Sequence, residues 1–161
     1  MQQQSTNLKA FLSMLAVSEI GPALMTKTED GYKALFGATP ANPIIFDSYY
    51  DHPRKMITRV IRGNSVTSSA AGRYQILARI YDYYKRTLRL PDFSPASQDA
   101  IAIQLIRECK ALELIEVGAI EAAISACRSR WASLPGAGYN QNEQKMAFLV
   151  DAYRSFGGVV A

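Results

Sequence analysis

The chain has 161 residues, enough for one domain with a sizeable core, and 48% of them are hydrophobic without any apolar run near the roughly 20 residues a membrane span needs. A formal net charge of +4 favours polyanionic partners: nucleic acid, anionic lipid or bacterial wall polymer. The basic residues (Arg54, Lys55, Arg59, Arg62, Arg73, Lys85, Arg86, Arg128, Arg130) are nevertheless scattered, with no basic stripe interleaved with aromatics, which argues against a nucleic-acid-binding module.

The first seven residues are polar and lead into an apolar helical pattern, which does not read as a signal peptide. The expectation is a protein made in the cytoplasm and kept there unless something else releases it. Leu8, Phe11, Leu12 and Leu15 share one helix face, and Glu19 continues that stripe before Gly21-Pro22 stops the helix. Gly21 to Asn42 is turn-rich. Ile44 to Phe46, Ile57, Val60, Ile61 and Val66 suggest short strands of a small irregular sheet, with a loop over Ser48 to Lys55 and a turn at Arg62 to Ser65. A helix is expected from about Arg73 to Leu88, with Ile76, Leu77, Ile80 and Tyr84 on one stripe. Ser94-Pro95 starts another, which runs to about Cys109. Short helices follow over Leu112 to Val117, stopped by Gly118, and around Ile120, Ile124 and Cys127. Leu134 to Tyr139 breaks the pattern, and a last helix runs from about Asn142 to Gly157-Gly158. The sum is α+β, a single domain over 1–161, mostly helical with a small β lobe and a cleft between lobes as the expected ligand site.

Glu19 is the first candidate for chemistry. A carboxylate in the last turn of a helix faces the negative end of the dipole, and partial burial penalises its charge further. Both effects favour a general acid working near neutral pH, the alternative being a helix-end glutamate facing solvent. Gly72-Arg73-Tyr74-Gln75 is expected to open a helix and turn side chains into a cleft. Gln75 would offer amide donors and acceptors to a sugar and Tyr74 a flat face with a polar tip; as alternatives, Tyr74 is core and Gln75 solvated. Pro135 to Gln141 is a glycine-rich loop with one aromatic and two amides. It lacks the lysine and Ser/Thr of a phosphate-binding loop, so it reads as a mobile lip over a polar ligand or as a plain interhelical loop. His52 has no metal partners at ligand spacing and reads as a loop histidine held by Asp51 or Pro53; no metal and no cofactor are expected. Cys109 and Cys127 read as buried free thiols.

Several collinear blocks carry a resemblance over nearly the whole chain. They are Lys9-Ala10-Phe11-Leu12 with Met14-Leu15-Ala16 and Ser18-Glu19, then Lys27-Thr28, Gly31-Tyr32, Asp51-His52-Pro53-Arg54-Lys55 and Ala71-Gly72-Arg73-Tyr74-Gln75. Asp92-Phe93-Ser94-Pro95 with Ser97-Gln98-Asp99-Ala100 follows, and then Trp131 to Tyr139 with Gln141 and Glu143. In these blocks the sequence resembles the phage lambda endolysin family. The resemblance implies a lysozyme-like fold and cleavage of the MurNAc–GlcNAc bond of peptidoglycan by lytic transglycosylation, with Glu19 as the catalytic acid. Ser18, Lys27, Thr28, Tyr32, Tyr74, Gln75, Tyr139 and Gln141 become the candidate substrate-binding residues. Hydrolysis ordinarily uses two carboxylates, whereas a transglycosylase manages with one, because the MurNAc C6 hydroxyl takes the place of water. Glu29, Asp30, Asp47 and Asp51 are the second carboxylates that a hydrolysing muramidase would draw on; a wall-binding protein without catalysis is the reading from another class. Where the lambda protein has Asp after the matching Gly-Tyr, this chain has Lys33, a side chain suited to a muramyl or stem-peptide carboxylate. The expected partner is the peptidoglycan glycan strand, met by a monomer without nucleic acid or membrane insertion. The implied route is host cytoplasm first, then release to the cell wall by a separate membrane-permeabilising protein.

Overall fold

The computed structural model describes residues 4–139 and 142–161, which form two compact units, Met1–Ser18 with Ile103–Ala161 and Glu19–Ala102. The division falls inside two helices, α1 (Thr6–Ile20) and α4 (Pro95–Glu108).

In the unit of Met1–Ser18 and Ile103–Ala161, Ser5 starts α1 by accepting the Leu8 N–H on its hydroxyl at 3.0 Å. Leu8, Ala10, Phe11, Leu12, Met14, Leu15, Ala16, Val17 and Ser18 are all buried, so α1 is enclosed on most sides where the sequence suggests a single apolar stripe. After α4 come α5 (Leu112–Glu116), α6 (Ile120–Cys127) and α7 (Met146–Ser155). α6 packs against both α5 and α7. Asn7 ties the start of α1 to the Ile115 carbonyl at 3.1 Å and accepts the Val159 N–H at 3.0 Å, fastening the C-terminal tail. α7 begins four residues later than the expected Asn142, because Gln144 is bonded through its N–H to the Ser133 carbonyl at 2.7 Å.

In the unit of Glu19–Ala102, Gly21-Pro22 ends α1 and at once begins a second helix, α2 (Pro22–Met25), with proline at its first position. The sheet is a two-stranded antiparallel hairpin, β1 (Ile57–Ile61) and β2 (Asn64–Ser68), registered Ile57↔Ser68 to Ile61↔Asn64. Its turn is only Arg62-Gly63, both with positive φ (51° and 78°), the two-residue loop that strand twist prefers. Ile44 to Phe46 does not join that hairpin. Ile45 makes one bridge to Ala34, and Leu35 makes another to Ala71.

The helix expected from Arg73 begins only at Ala78, as α3 (Ala78–Thr87). Ala71 and Ile76 exchange both backbone hydrogen bonds (3.1 and 2.9 Å), which closes Gly72 to Gln75 into a turn and puts Gln75 at φ 49°. The buried face of α3 is Tyr81 and Tyr84. Phe46, Tyr49, His52, Tyr81 and Phe93 form the aromatic core of this unit, with ring centroids 4.7–5.8 Å apart. α4 starts where Ser94-Pro95 indicates, with Asp92 accepting the Ser94 N–H at 2.9 Å.

Candidate active site

Glu19 is the penultimate residue of α1 and is half-buried. Beside it, Ile20 lies against Gly31 and Arg73: a Cβ on Gly31 would stand 2.5 Å from Ile20 Cδ1 and 3.5 Å from the Arg73 Cα. Gly31, at φ +89°, is therefore the residue that lets the end of α1, the loop before Tyr32 and the Gly72 turn approach one another.

Two side chains of α4 hold this arrangement. Gln98 is fully buried; its Oε1 accepts the Arg73 N–H at 3.0 Å, and its Nε2 donates to the Tyr32 carbonyl (3.1 Å) and the Phe93 carbonyl (2.9 Å). Gly72 is required beneath it, since a Cβ there would lie 2.1 Å from Gln98 Oε1. Asp99 accepts on one carboxylate oxygen from both Tyr32 (2.9 Å) and Tyr74 (2.6 Å). Burial raises its pKa, and the two phenols and the Arg73 charge only partly oppose that. Burial, then the neighbouring Asp99 charge, raise the phenol pKa of both tyrosines. The Arg73 guanidinium lies over the Tyr32 ring, 5.0 Å from its centroid, and is ion-paired with Asp30. Neither Gln98 nor Asp99 has an assigned role in the sequence reading. The available signal is a pair of polar residues in the first turn of a capped helix, with the Phe93 core just before it.

The candidate binding residues of this unit sit at very different depths. Lys27 is exposed, and its ammonium donates to the Pro40 carbonyl at 2.6 Å. Thr28 is buried and donates to the Leu24 carbonyl at 2.7 Å, while Tyr74 is 2% exposed. Tyr32 is half-buried, and Gln75, also half-buried, turns its amide back to the Gly72 carbonyl at 3.0 Å. Lys33 pairs with Glu29 at 2.8 Å and lies over the Tyr49 ring.

In the other unit, Ser18 is buried and its hydroxyl meets that of Ser133 at 2.7 Å. Tyr139 is exposed and its phenol donates to the Ser129 carbonyl at 3.0 Å. The Glu143 carboxylate accepts the N–H groups of Gly136 (2.9 Å) and Gly138 (2.8 Å) of the glycine-rich segment. Those amides are thus directed to the side chain of Glu143, a few residues further along the chain. Gln141 lies outside the described residues.

Six of the other carboxylates of the Glu19 unit (Glu29, Asp30, Asp51, Asp82, Asp92 and Asp99) have their own partners, while Asp47 is exposed. Glu29 is bonded to Lys33 and Tyr49, which hold its pKa down. Burial pushes the Asp51 carboxyl up, but Lys85 at 3.0 Å and Arg54 at 3.2 Å outweigh it and bring its pKa to about 2. Asp82 is held by Arg54, and Asp92 by Ser94 and Ser97. His52 is 3% exposed; its Nε2 bonds the Ile76 carbonyl at 2.8 Å and its Nδ1 accepts the Arg54 N–H at 3.0 Å, a neutral tautomer whose pKa burial lowers. It is thus held by Ile76 and Arg54, in place of the expected Asp51 or Pro53. Among the described residues, no group of three or more His, Cys, Asp or Glu is placed to hold a metal ion.

The model of the family described as Endolysin matches residues 9–160. The chain is 49% identical to the endolysin of Escherichia phage P2 over 158 residues, covering 96% of this chain and 95% of that relative. It is 46% identical to the endolysin of Escherichia phage lambda over 153 residues, covering 94% and 92%. Among solved structures it is similar to bacteriophage lambda lysozyme complexed with a chitohexasaccharide, at 41% identity over the full length of both chains, with a TM-score of 0.86. A second structure of the lysozyme from bacteriophage lambda is similar at a TM-score of 0.83, again at 41% identity.

Proposed function

The chain belongs to the Endolysin family and shares the α+β fold of bacteriophage lambda lysozyme, and from that premise we propose that it degrades peptidoglycan as a lytic transglycosylase with Glu19 as its single acid/base. Glu19 protonates the glycosidic oxygen of the MurNAc–GlcNAc bond, and the MurNAc C6 hydroxyl attacks its own C1. The glutamate carboxylate then takes the C6 proton, leaving a 1,6-anhydro end without water being consumed. The observation that supports one acid rather than two is the disposition of the other carboxylates of its unit, the exposed Asp47 excepted. Glu29, Asp30, Asp51, Asp82, Asp92 and Asp99 are each tied to a cation, a phenol or a hydroxyl.

Exposure sorts the binding residues within this reading. Lys27, Tyr32, Gln75 and, in the other unit, Tyr139 present reachable atoms for sugar contact. Thr28, Tyr74 and Ser18 act from beneath, by bonding the Leu24 carbonyl, Asp99 and Ser133 respectively. Lys33, paired with Glu29, balances charge on the Tyr32 loop before it meets any substrate carboxylate. The glycan complex of the lambda lysozyme supports an oligosaccharide as the ligand class. No helix among the described residues is long and apolar enough to cross a membrane. Access to the wall by way of a separate permeabilising protein is part of the same proposal. Lysis by cells expressing this chain alone would count against it.

The test is mass analysis of soluble fragments from purified peptidoglycan. Fragments ending in 1,6-anhydro-MurNAc, one water lighter than reducing ends, are expected. Reducing ends would assign hydrolysis and direct attention to Asp47, whose side chain is exposed. Glu19→Gln should lose about 10²–10⁴-fold in turnover while still sedimenting with wall. Wall binding by a wild-type protein that releases no fragments would assign the non-catalytic reading.

A further inference from the structure

The Gly21-Pro22 step that ends α1 leaves a backbone carbonyl to be satisfied. In a continuing helix the Ser18 carbonyl would accept the N–H of residue 22, and Pro22 has none. Ser18 is 3% exposed, so the group needs a partner from within the protein. Gln144 supplies it, donating from Nε2 to the Ser18 carbonyl at 3.4 Å. The Gln144 backbone N–H donates to the Ser133 carbonyl at 2.7 Å, and the Ser133 hydroxyl meets the Ser18 hydroxyl at 2.7 Å. Three residues thus close a ring of hydrogen bonds, and Ser18 is held at both its carbonyl and its side chain. All three belong to the unit of Met1–Ser18 and Ile103–Ala161. The residue that follows Ser18 in α1 is Glu19.

We propose that Gln144 and Ser133 are positioning residues for the Glu19 acid, acting through Ser18; the inference rests on the reading of Glu19 as the acid/base. The last carbonyls of a helix have no following turn to bind them, and helix ends fray where no other donor steps in. Here the Gln144 amide replaces the rung that Pro22 cannot provide, while the Ser133 hydroxyl holds the Ser18 side chain. Glu19 then carries its carboxyl on a backbone with little freedom left. That matters to a proton donor, because transfer to a glycosidic oxygen requires the two groups within hydrogen-bond reach. A displacement of about 1 Å is enough to cost a large share of the rate. The Gln144 side chain is also separable from the core. It precedes α7, whose buried residues are Leu149, Val150 and Tyr153, so its removal leaves them packed and leaves the Gln144 N–H on Ser133.

The test compares Gln144→Met and Gln144→Lys with wild type in wall-digestion kinetics, melting temperature and amide hydrogen exchange. Methionine keeps the length of glutamine and has no donor. Gln144→Met should lower kcat roughly 10–100-fold at unchanged KM, with a melting temperature within about 4 °C of wild type. Exchange should quicken at the end of α1 while its middle turns stay protected. Gln144→Lys keeps a donor at similar reach and should recover most of kcat. An unchanged kcat in Gln144→Met would overturn the proposal, and so would a rise in KM alone, which would put Gln144 on the substrate. A lysine variant as slow as the methionine variant would overturn it too, since packing and not the donor would then be at stake. Activity lost only in proportion to folded protein would reduce Gln144 to a structural residue. Should Gln144→Met fail to fold, Ser133→Ala carries the same kcat-against-KM test with a smaller loss, roughly 3–10-fold. A wild-type chain that releases no wall fragments would sink the functional reading instead, and exchange at the end of α1 then judges the anchor by itself.

Discussion

The interiors of the two compact units, each taken by itself, are built by different means. In Met1–Ser18 with Ile103–Ala161, the interior is built from Phe11, Met14, Leu15, Ile106, Ile115, Ile124, Leu149 and their neighbours. In Glu19–Ala102, Thr28, His52, Arg73, Ser97 and Gln98 are buried polar residues, whereas Ser18 is the only such residue described in the other unit. Backbone strain divides the same way. Glu29, Asp30, Arg54, Arg62, Gln75 and Arg89 hold positive φ in the Glu19 unit, against Lys110 alone among the described non-glycine residues of the other. Apolar packing tolerates imprecise geometry but penalises lost volume; hydrogen-bonded loops keep a defined shape and penalise a missing partner. The proposed acid sits at the edge of the second kind of structure, where loop shape is specified bond by bond.

The largest effect that would sharpen this contrast is loss of volume in the helical unit. Leu149→Ala removes a fully buried side chain of α7 and should cost about 2–5 kcal/mol. At roughly 2–4 °C per kcal/mol the melting temperature falls steeply, while turnover per folded molecule stays near wild type. Turnover lost without a change in melting temperature would erase the division of labour. Gln98→Leu comes next. It keeps the volume but leaves the Arg73 N–H and the Tyr32 and Phe93 carbonyls without their partner, for about 2–3 kcal/mol. Here turnover should fall by more than the loss of folded protein explains, because the Tyr32 and Gly72 loops are released together. Urea melts alongside wall-digestion rates separate the two variants.

What could be read from the sequence is what local signals carry, in both units alike. Ser94-Pro95, Gly118 and the Ile120–Ile124–Cys127 spacing locate α4, the end of α5 and α6, because a cap, a stop and a 3.6-residue period are local signals. The Arg62-Gly63 hairpin is legible for the same reason. The Gly72 turn is not. Arg73-Tyr74-Gln75 has nothing against a helix in its own composition, and the turn is imposed by Ile76, Ala34 and Gln98, the last 26 positions beyond Gly72. α2 is hidden because Gly21-Pro22 reads as a stop, although proline also suits a first helical position. Glu19 is conspicuous as the acid that ends an apolar run. Asp99 and Gln98 are not, since their partners Tyr32 and Arg73 are distant in sequence.

A smaller change probes one bond of the network. Tyr32→Phe removes the phenol that donates to Asp99 and leaves the Tyr74 phenol on the same carboxylate oxygen. About 1 kcal/mol of stability should be lost. If the Tyr32 ring meets sugar, KM should rise more than kcat falls. The reverse pattern would make Tyr32 a prop for the acid instead of a binding surface.

The smallest expected effect concerns acid, and it belongs to the Glu19 unit. Burial lowers the pKa of His52 in the fold, with Arg54 adding to the shift and Ile76, Asp51 and Asp82 opposing it. The unfolded chain therefore takes up a proton below about pH 6.5 before the folded chain does. Stability tied to His52 is complete above that pH and declines as pH falls toward the lower folded value. Asp99 acts in the opposite sense, because its raised pKa lets the fold bind a proton ahead of the unfolded chain. The net slope between about pH 7 and 5.5 mixes the two, so the informative quantity is the difference between wild type and His52→Gln. The glutamine variant, less stable at neutral pH through lost packing against Phe93 and Tyr81, should lose less on acidification. Parallel stability curves for the two proteins would mean that the histidine changes protonation equally in both states, and the acid sensitivity of this unit would then lie in its carboxylates alone.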